Sequence, residues 1–116
     1  MGTPLPQEVL AMNPEYDLKT YNFPHVEKKN WKNIFPDTDP LLIELLSRVM
    51  VYSPESRATA MEVLALPYFD ELRDQLTYSH LSSMYHLRDF FRFSKEEAGG
   101  QRALMEKLIP SWYWQK

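Results

Sequence analysis

The sequence predicts an all-α fold with long segments of coil, and three observations carry that expectation. Nine prolines stand against three glycines, which favours short helices joined by extended pieces over a sheet of hairpins. From Pro40 to Val51, Leu41, Leu42, Leu45, Leu46, Val49 and Met50 recur at three- and four-residue steps. They form one apolar stripe, with Glu44, Ser47 and Arg48 on the opposite face. Finally, Thr59 is followed three positions on by Glu62, and Ser94 by Glu97, the spacing at which a hydroxyl and a carboxylate close a helix N-terminus reciprocally.

Taken in order, Pro6 to Met12 reads as a short helix, with Thr3 as its cap, prolines in its first turn and Asn13-Pro14 as its stop. Glu15 to Lys29 has no helical period and reads as ordered coil, with Tyr16, Tyr21, Phe23 and Val26 set among polar residues. Asn30 to Pro36 is a connection anchored by Trp31. The Pro40–Val51 helix follows, with Asp37, Thr38 and Asp39 as candidate caps. After Ser53-Pro54, Thr59 and Glu62 open a helix over Ala60 to Leu66, and Pro67 ends it. Phe69 to Arg73 fits one further turn. Thr77 to Asp89 is polar and irregular, Gly99-Gly100 breaks the chain, and Arg102 to Ile109 is helical before Pro110. The Pro40–Val51 stripe, together with Trp31, Phe35, Tyr68 and Phe69, is the expected core.

Composition removes several function classes. A net charge of -3 lacks the basic excess of a nucleic-acid surface, and the aromatics sit beside prolines and acids rather than among Lys and Arg. No run reaches the roughly 18 apolar residues that span a bilayer, and no charged-then-apolar leader is read at the start. The expectation is therefore no nucleic acid, no membrane, and a cytoplasmic or nuclear location. With zero cysteines there is no disulfide and no thiolate zinc site. His25, His80 and His86 lack helical ligand spacing, so no metal site is expected. Ser82-Ser83 has no nucleophile-elbow context and reads as a solvated loop.

One family carries these segments in the same order. Gly2-Thr3-Pro4, Met12-Asn13-Pro14 with Tyr16, Tyr21-Asn22-Phe23-Pro24, and Trp31 with Ile34-Phe35 resemble the region after helix G in the glycogen synthase kinase-3 family of serine/threonine kinases. Pro40–Val51 resembles helix H, and Ser53-Pro54-Glu55-Ser56-Arg57 with Ala60 to Phe69 resembles the H–I corner and helix I. Phe69-Asp70-Glu71-Leu72-Arg73-Asp74 is similar to the phrase after helix I. Phe91-Arg92-Phe93 and Leu108-Ile109-Pro110 resemble the C-terminal extension. The pattern departs between Tyr16 and Phe23, where this chain is slightly longer, and over Thr77–Asp89.

The resemblance implies a helical C-terminal portion of a protein-kinase-like fold. Residues 1–74 would belong to the large lobe, and residues 75–116 to an extension packing back on it. It implies that the complete kinase uses ATP and Mg2+ and that this span binds no cofactor. Tyr16, Tyr21 and Phe23, with Pro24, His25 and Val26 as a wall, are implied to form part of a docking groove for scaffold or inhibitor proteins that present an amphipathic helix. Their structural alternative is that the rings only pin the coil. Arg57 is implied to pair with a glutamate of the kinase domain outside these residues; its alternative is an exposed arginine bonding helix-end carbonyls. Two other readings of the whole stay open: a non-enzymatic helical interaction module derived from a kinase lobe, and a fragment of a MAP or cyclin-dependent type kinase.

The catalytic parts of a kinase are not legible in these residues. Phosphoryl transfer needs a glycine-rich loop, a strand lysine, and an aspartate and asparagine that hold magnesium. The only glycines are Gly2, Gly99 and Gly100. Leu72-Arg73-Asp74 and Leu87-Arg88-Asp89 echo a catalytic loop, but the fifth residue after each aspartate is Ser79 or Ser94, not asparagine. Asp89-Phe90-Phe91 lacks the glycine of D-F-G. The expectation is a span that gives structure and docking, with chemistry held elsewhere.

Overall fold

A computed structural model describes every residue except His86, Arg88 and Lys116. Among the described residues the ordered elements are all helical. The chain divides into two compact units, Met1–Ala58 and Thr59–Lys116.

In the first unit, α1 (Pro6–Met12) begins after Leu5, whose backbone N–H donates to the Glu8 carboxylate at 2.7 Å. Thr3 is not its cap, contrary to the expectation above; its hydroxyl is engaged with the coil at residues 24–26. Residues 13–30 are coil apart from a 3₁₀ turn at Leu18–Thr20, where the Asp17 carboxylate accepts from the Lys19 N–H at 2.9 Å. The short α2 (Trp31–Ile34) is capped by Asn30 and stacks Trp31 on Phe35 with centroids 6.2 Å apart. It packs against α3 (Pro40–Val49), which Asp39 caps by accepting from the Leu41 N–H at 2.8 Å. This helix stops two residues before Val51. Met50 leaves the helical region, and the carbonyls of Val51 and Tyr52 become acceptors for the Arg57 side chain.

None of the α3 stripe is buried in this span; Leu42, Leu45, Leu46 and Val49 are half-buried, and Leu41 and Met50 exposed. Trp31 and Phe69 are half-buried, Phe35 and Tyr68 exposed. The expected core thus lies largely open. What is buried is Val9 in the first unit, and Ala65, Leu66, Tyr78, Phe91 and Leu108 in the second.

In the second unit, Thr59 and Glu62 close the box predicted for α4 (Ala60–Leu64), with bonds of 3.2 and 2.7 Å. A 3₁₀ stretch, Pro67–Arg73, follows. The segment read as irregular is mostly helix: α5 spans Gln75–Met84, because the Asp74 carboxylate caps it by accepting from the Thr77 N–H at 3.0 Å. The Tyr78 hydroxyl donates to the Leu87 carbonyl at 2.9 Å and ties the helix to the chain beyond it. Ser94 and Glu97 close the second predicted box on α6 (Lys95–Ala98), which Gly99 ends in the left-handed conformation at φ 53°. Then α7 (Arg102–Leu108) packs on α4 and α6, and a final 3₁₀ turn covers Ser111–Gln115. Rings from three of these segments, Tyr78, Phe91, Trp112 and Tyr113, meet with centroids 5.2 to 6.4 Å apart. The Trp112 indole donates to the Arg73 carbonyl at 3.0 Å.

Candidate functional site

The coil from Tyr16 to Val26 is held by hydrogen bonds and by contacts between its rings. The Tyr21 hydroxyl donates to the Pro4 carbonyl. Its ring meets Phe23 edge-on at 5.1 Å, and Phe23 lies nearly parallel to Tyr16 at 6.4 Å. Tyr16 and Tyr21 are half-buried, whereas Pro24 and His25 are exposed. Phe23 is 46% exposed and Val26 57%. The structure therefore brings Tyr16, Tyr21 and Phe23 into one aromatic row. Pro24 and Val26 lie beside it, lining an apolar depression with Phe23 and the Gly2–Pro4 segment. Tyr21 pins the coil, while Phe23 and Val26 offer apolar surface to solvent.

Sequence reasoning did not find the segment on which this coil rests. The Thr3 N–H donates to the Val26 carbonyl at 2.9 Å. The Thr3 hydroxyl donates to the Pro24 carbonyl and accepts from the Val26 N–H, both at 2.6 Å. A threonine before a short proline-led helix signals an N-cap, and that local signal hid a partner more than twenty residues away.

Arg57 is exposed in this span. Its Nε donates to the Val51 carbonyl at 3.1 Å, and one terminal nitrogen donates to the carbonyls of Val51 and Tyr52 at 2.9 and 3.4 Å. These carbonyls lie two and three residues beyond the end of α3, so the guanidinium closes the turn that leaves the helix. The residues that echoed catalytic motifs have structural tasks. Asp74 caps α5, and the Thr77 backbone N–H, the largest influence on it, holds its carboxyl below the ordinary aspartate value. Arg73 is almost enclosed, 11% exposed; it binds the Leu64 and Leu66 carbonyls and pairs with Asp70 at 2.6 Å. Asp89 pairs with Arg92 at 2.9 Å on the surface. Arg88 and His86 lie outside the described residues. Among the described residues no group of three or more His, Asp or Glu side chains is placed to hold a metal ion. Gly99 and Gly100 close a helix end, and Gly2 sits under the residue 26–28 backbone.

Among the described residues no helix is long and apolar enough to cross a membrane. Compared with curated proteins, the chain is 38% identical to Protein kinase gsk3 of Schizosaccharomyces pombe over 117 aligned positions. That similarity covers 96% of this chain and 30% of the yeast protein. The chain matches a segment of a GSK3-like protein kinase. It fits the C-terminal portion of that kinase and spans less than a third of its length. The helical content, the capped α4 and the half-open α3 all suit a piece of a GSK3-like kinase lobe. No protein-family model matches the chain.

Proposed function

We propose that this chain supplies the C-terminal part of the large lobe of a serine/threonine protein kinase, and that residues 16–26 form one wall of a docking groove for a partner's amphipathic helix. The complete kinase would transfer the γ-phosphoryl of ATP, with Mg2+, to protein Ser or Thr; the groups that bind ATP and Mg2+ lie outside these residues. The observation that carries the docking role is the unequal fixing of the aromatic row. Tyr21 is tied down through its hydroxyl, whereas Phe23 and Val26 on the same coil remain exposed. A pre-ordered apolar edge loses little entropy on binding and suits the anchors of an amphipathic helix at i, i+3, i+4 and i+7.

The test uses the complete kinase and a model amphipathic helix with leucine at those positions, followed by fluorescence anisotropy. Phe23→Arg should weaken binding about tenfold or more, as loss of an aromatic anchor does, with the melting temperature unchanged because the ring is half exposed. Equal affinity in the variant refutes the docking role.

A further inference from the structure

We infer that Thr3 is a positioning residue for the coil, the pin of a clasp that fixes the backbone of residues 24–26 and so sets where Phe23 and Val26 face. The inference rests on the docking role proposed above and adds the device that shapes the surface.

Both hydrogen-bonding capacities of one hydroxyl are used across the clasp. Oγ1 donates to the Pro24 carbonyl and accepts from the Val26 N–H, each at 2.6 Å. The adjacent backbone N–H of Thr3 donates to the Val26 carbonyl at 2.9 Å. Three consecutive residues of the coil are thereby bracketed at both ends by one side chain and its own amide. A coil between prolines has no ladder of its own, and these bonds satisfy the Pro24 carbonyl and both backbone groups of Val26.

Gly2 allows the approach. Its φ of 81° is a conformation that L side chains rarely adopt, and an added Cβ would sit 2.8 Å from the Lys28 nitrogen and 2.9 Å from the Val26 carbonyl oxygen. Two phenols hold the other strand of the clasp in place. Tyr52 donates to the Gly2 carbonyl at 2.6 Å, and Tyr21 to the Pro4 carbonyl. Tyr21 therefore reaches the segment that carries Thr3 while its ring touches Phe23. The clasp and the aromatic row are one connected unit.

The test replaces Thr3 in the complete kinase with valine, which keeps the shape and removes the hydroxyl, and with serine, which restores it. Two readouts are taken: hydrogen exchange at the Val26 amide, and affinity for the model amphipathic helix. Thr3→Val should speed exchange at Val26 and weaken helix binding, each by about tenfold, the scale of losing one or two ordinary hydrogen bonds. Thr3→Ser should restore both to within about twofold, which simple loss of packing volume would not. Gly2→Ala, acting from the backbone side, should reproduce the valine variant. The inference is overturned if Thr3→Val leaves both readouts unchanged, or if one readout moves without the other. Failure of the wild-type kinase to bind any helix would refute the docking role instead, and exchange at Val26 alone then decides whether the clasp holds the coil.

Discussion

Phe91 is where a single side chain should decide the integrity of the second unit. It is 3% exposed, and its ring meets Phe90, Tyr113, Tyr78 and Trp112 at 5.0, 5.3, 5.4 and 5.7 Å. These partners come from α5, from the segment before α6 and from the last turn, so the ring joins pieces distant in sequence. Truncating a buried phenylalanine costs about 3–5 kcal/mol. Each aromatic pair adds about 0.5–1.5 kcal/mol beyond area burial, although neighbouring pairs do not sum. Taking the lower range alone, Phe91→Ala should raise the population of the opened unit by about two to three orders of magnitude. Amide hydrogen exchange on the purified protein reads this directly. Amides of α5 and α7 should exchange about 100- to 1,000-fold faster, while those of α1 and α3 keep their wild-type rates. Acceleration below about tenfold would show that the ring is not the keystone. Equal acceleration in α1 and α3 would show that the two units do not open separately.

Two other outcomes follow from charged groups. Arg57→Ala removes bonds to the Val51 and Tyr52 carbonyls that lie at the surface of this span; on that account alone the loss is about 1 kcal/mol. If the complete kinase supplies a buried glutamate partner, the loss rises to about 3–5 kcal/mol, and thermal denaturation of the complete protein distinguishes the two sizes. Asp74 gives a pH dependence: its folded carboxyl lies below the ordinary aspartate value because the Thr77 N–H favours the ionised form. A lowered folded value means that its stabilisation of α5 is complete above the unfolded pKa. That stabilisation fades as pH falls through the unfolded value towards the folded one. Helical circular dichroism should decline over that acid window in the wild type, and Asp74→Asn, which can cap without titrating, should remove the dependence. A decline that persists unchanged in the variant would assign it to other carboxyls.

Local rules made much of this architecture legible, and their range explains what they missed. Thr59 with Glu62 and Ser94 with Glu97 announced helix starts because both partners of a capping box lie within four residues. The α3 stripe announced its helix through period alone. Helix α5 escaped notice because Thr77, Ser79, Ser82 and Ser83 are indifferent helix formers that dilute any apolar period. The available signal was Asp74, an acceptor placed three residues before Thr77. Thr3 misled for the opposite reason, since a favourable local role existed and a distant one prevailed. Sequence could likewise nominate candidate docking residues but not say that Phe23 and Val26 are more exposed than Tyr16 and Tyr21.

The half-open stripe of α3 makes the stability of this segment depend on what packs over it. A helix whose leucines remain partly in water gains stability from whatever takes them out of it. Truncating Leu42, Leu45 or Leu46 would then cost twice: the packing lost against α2 and its surroundings, and the apolar area no longer offered to a cover.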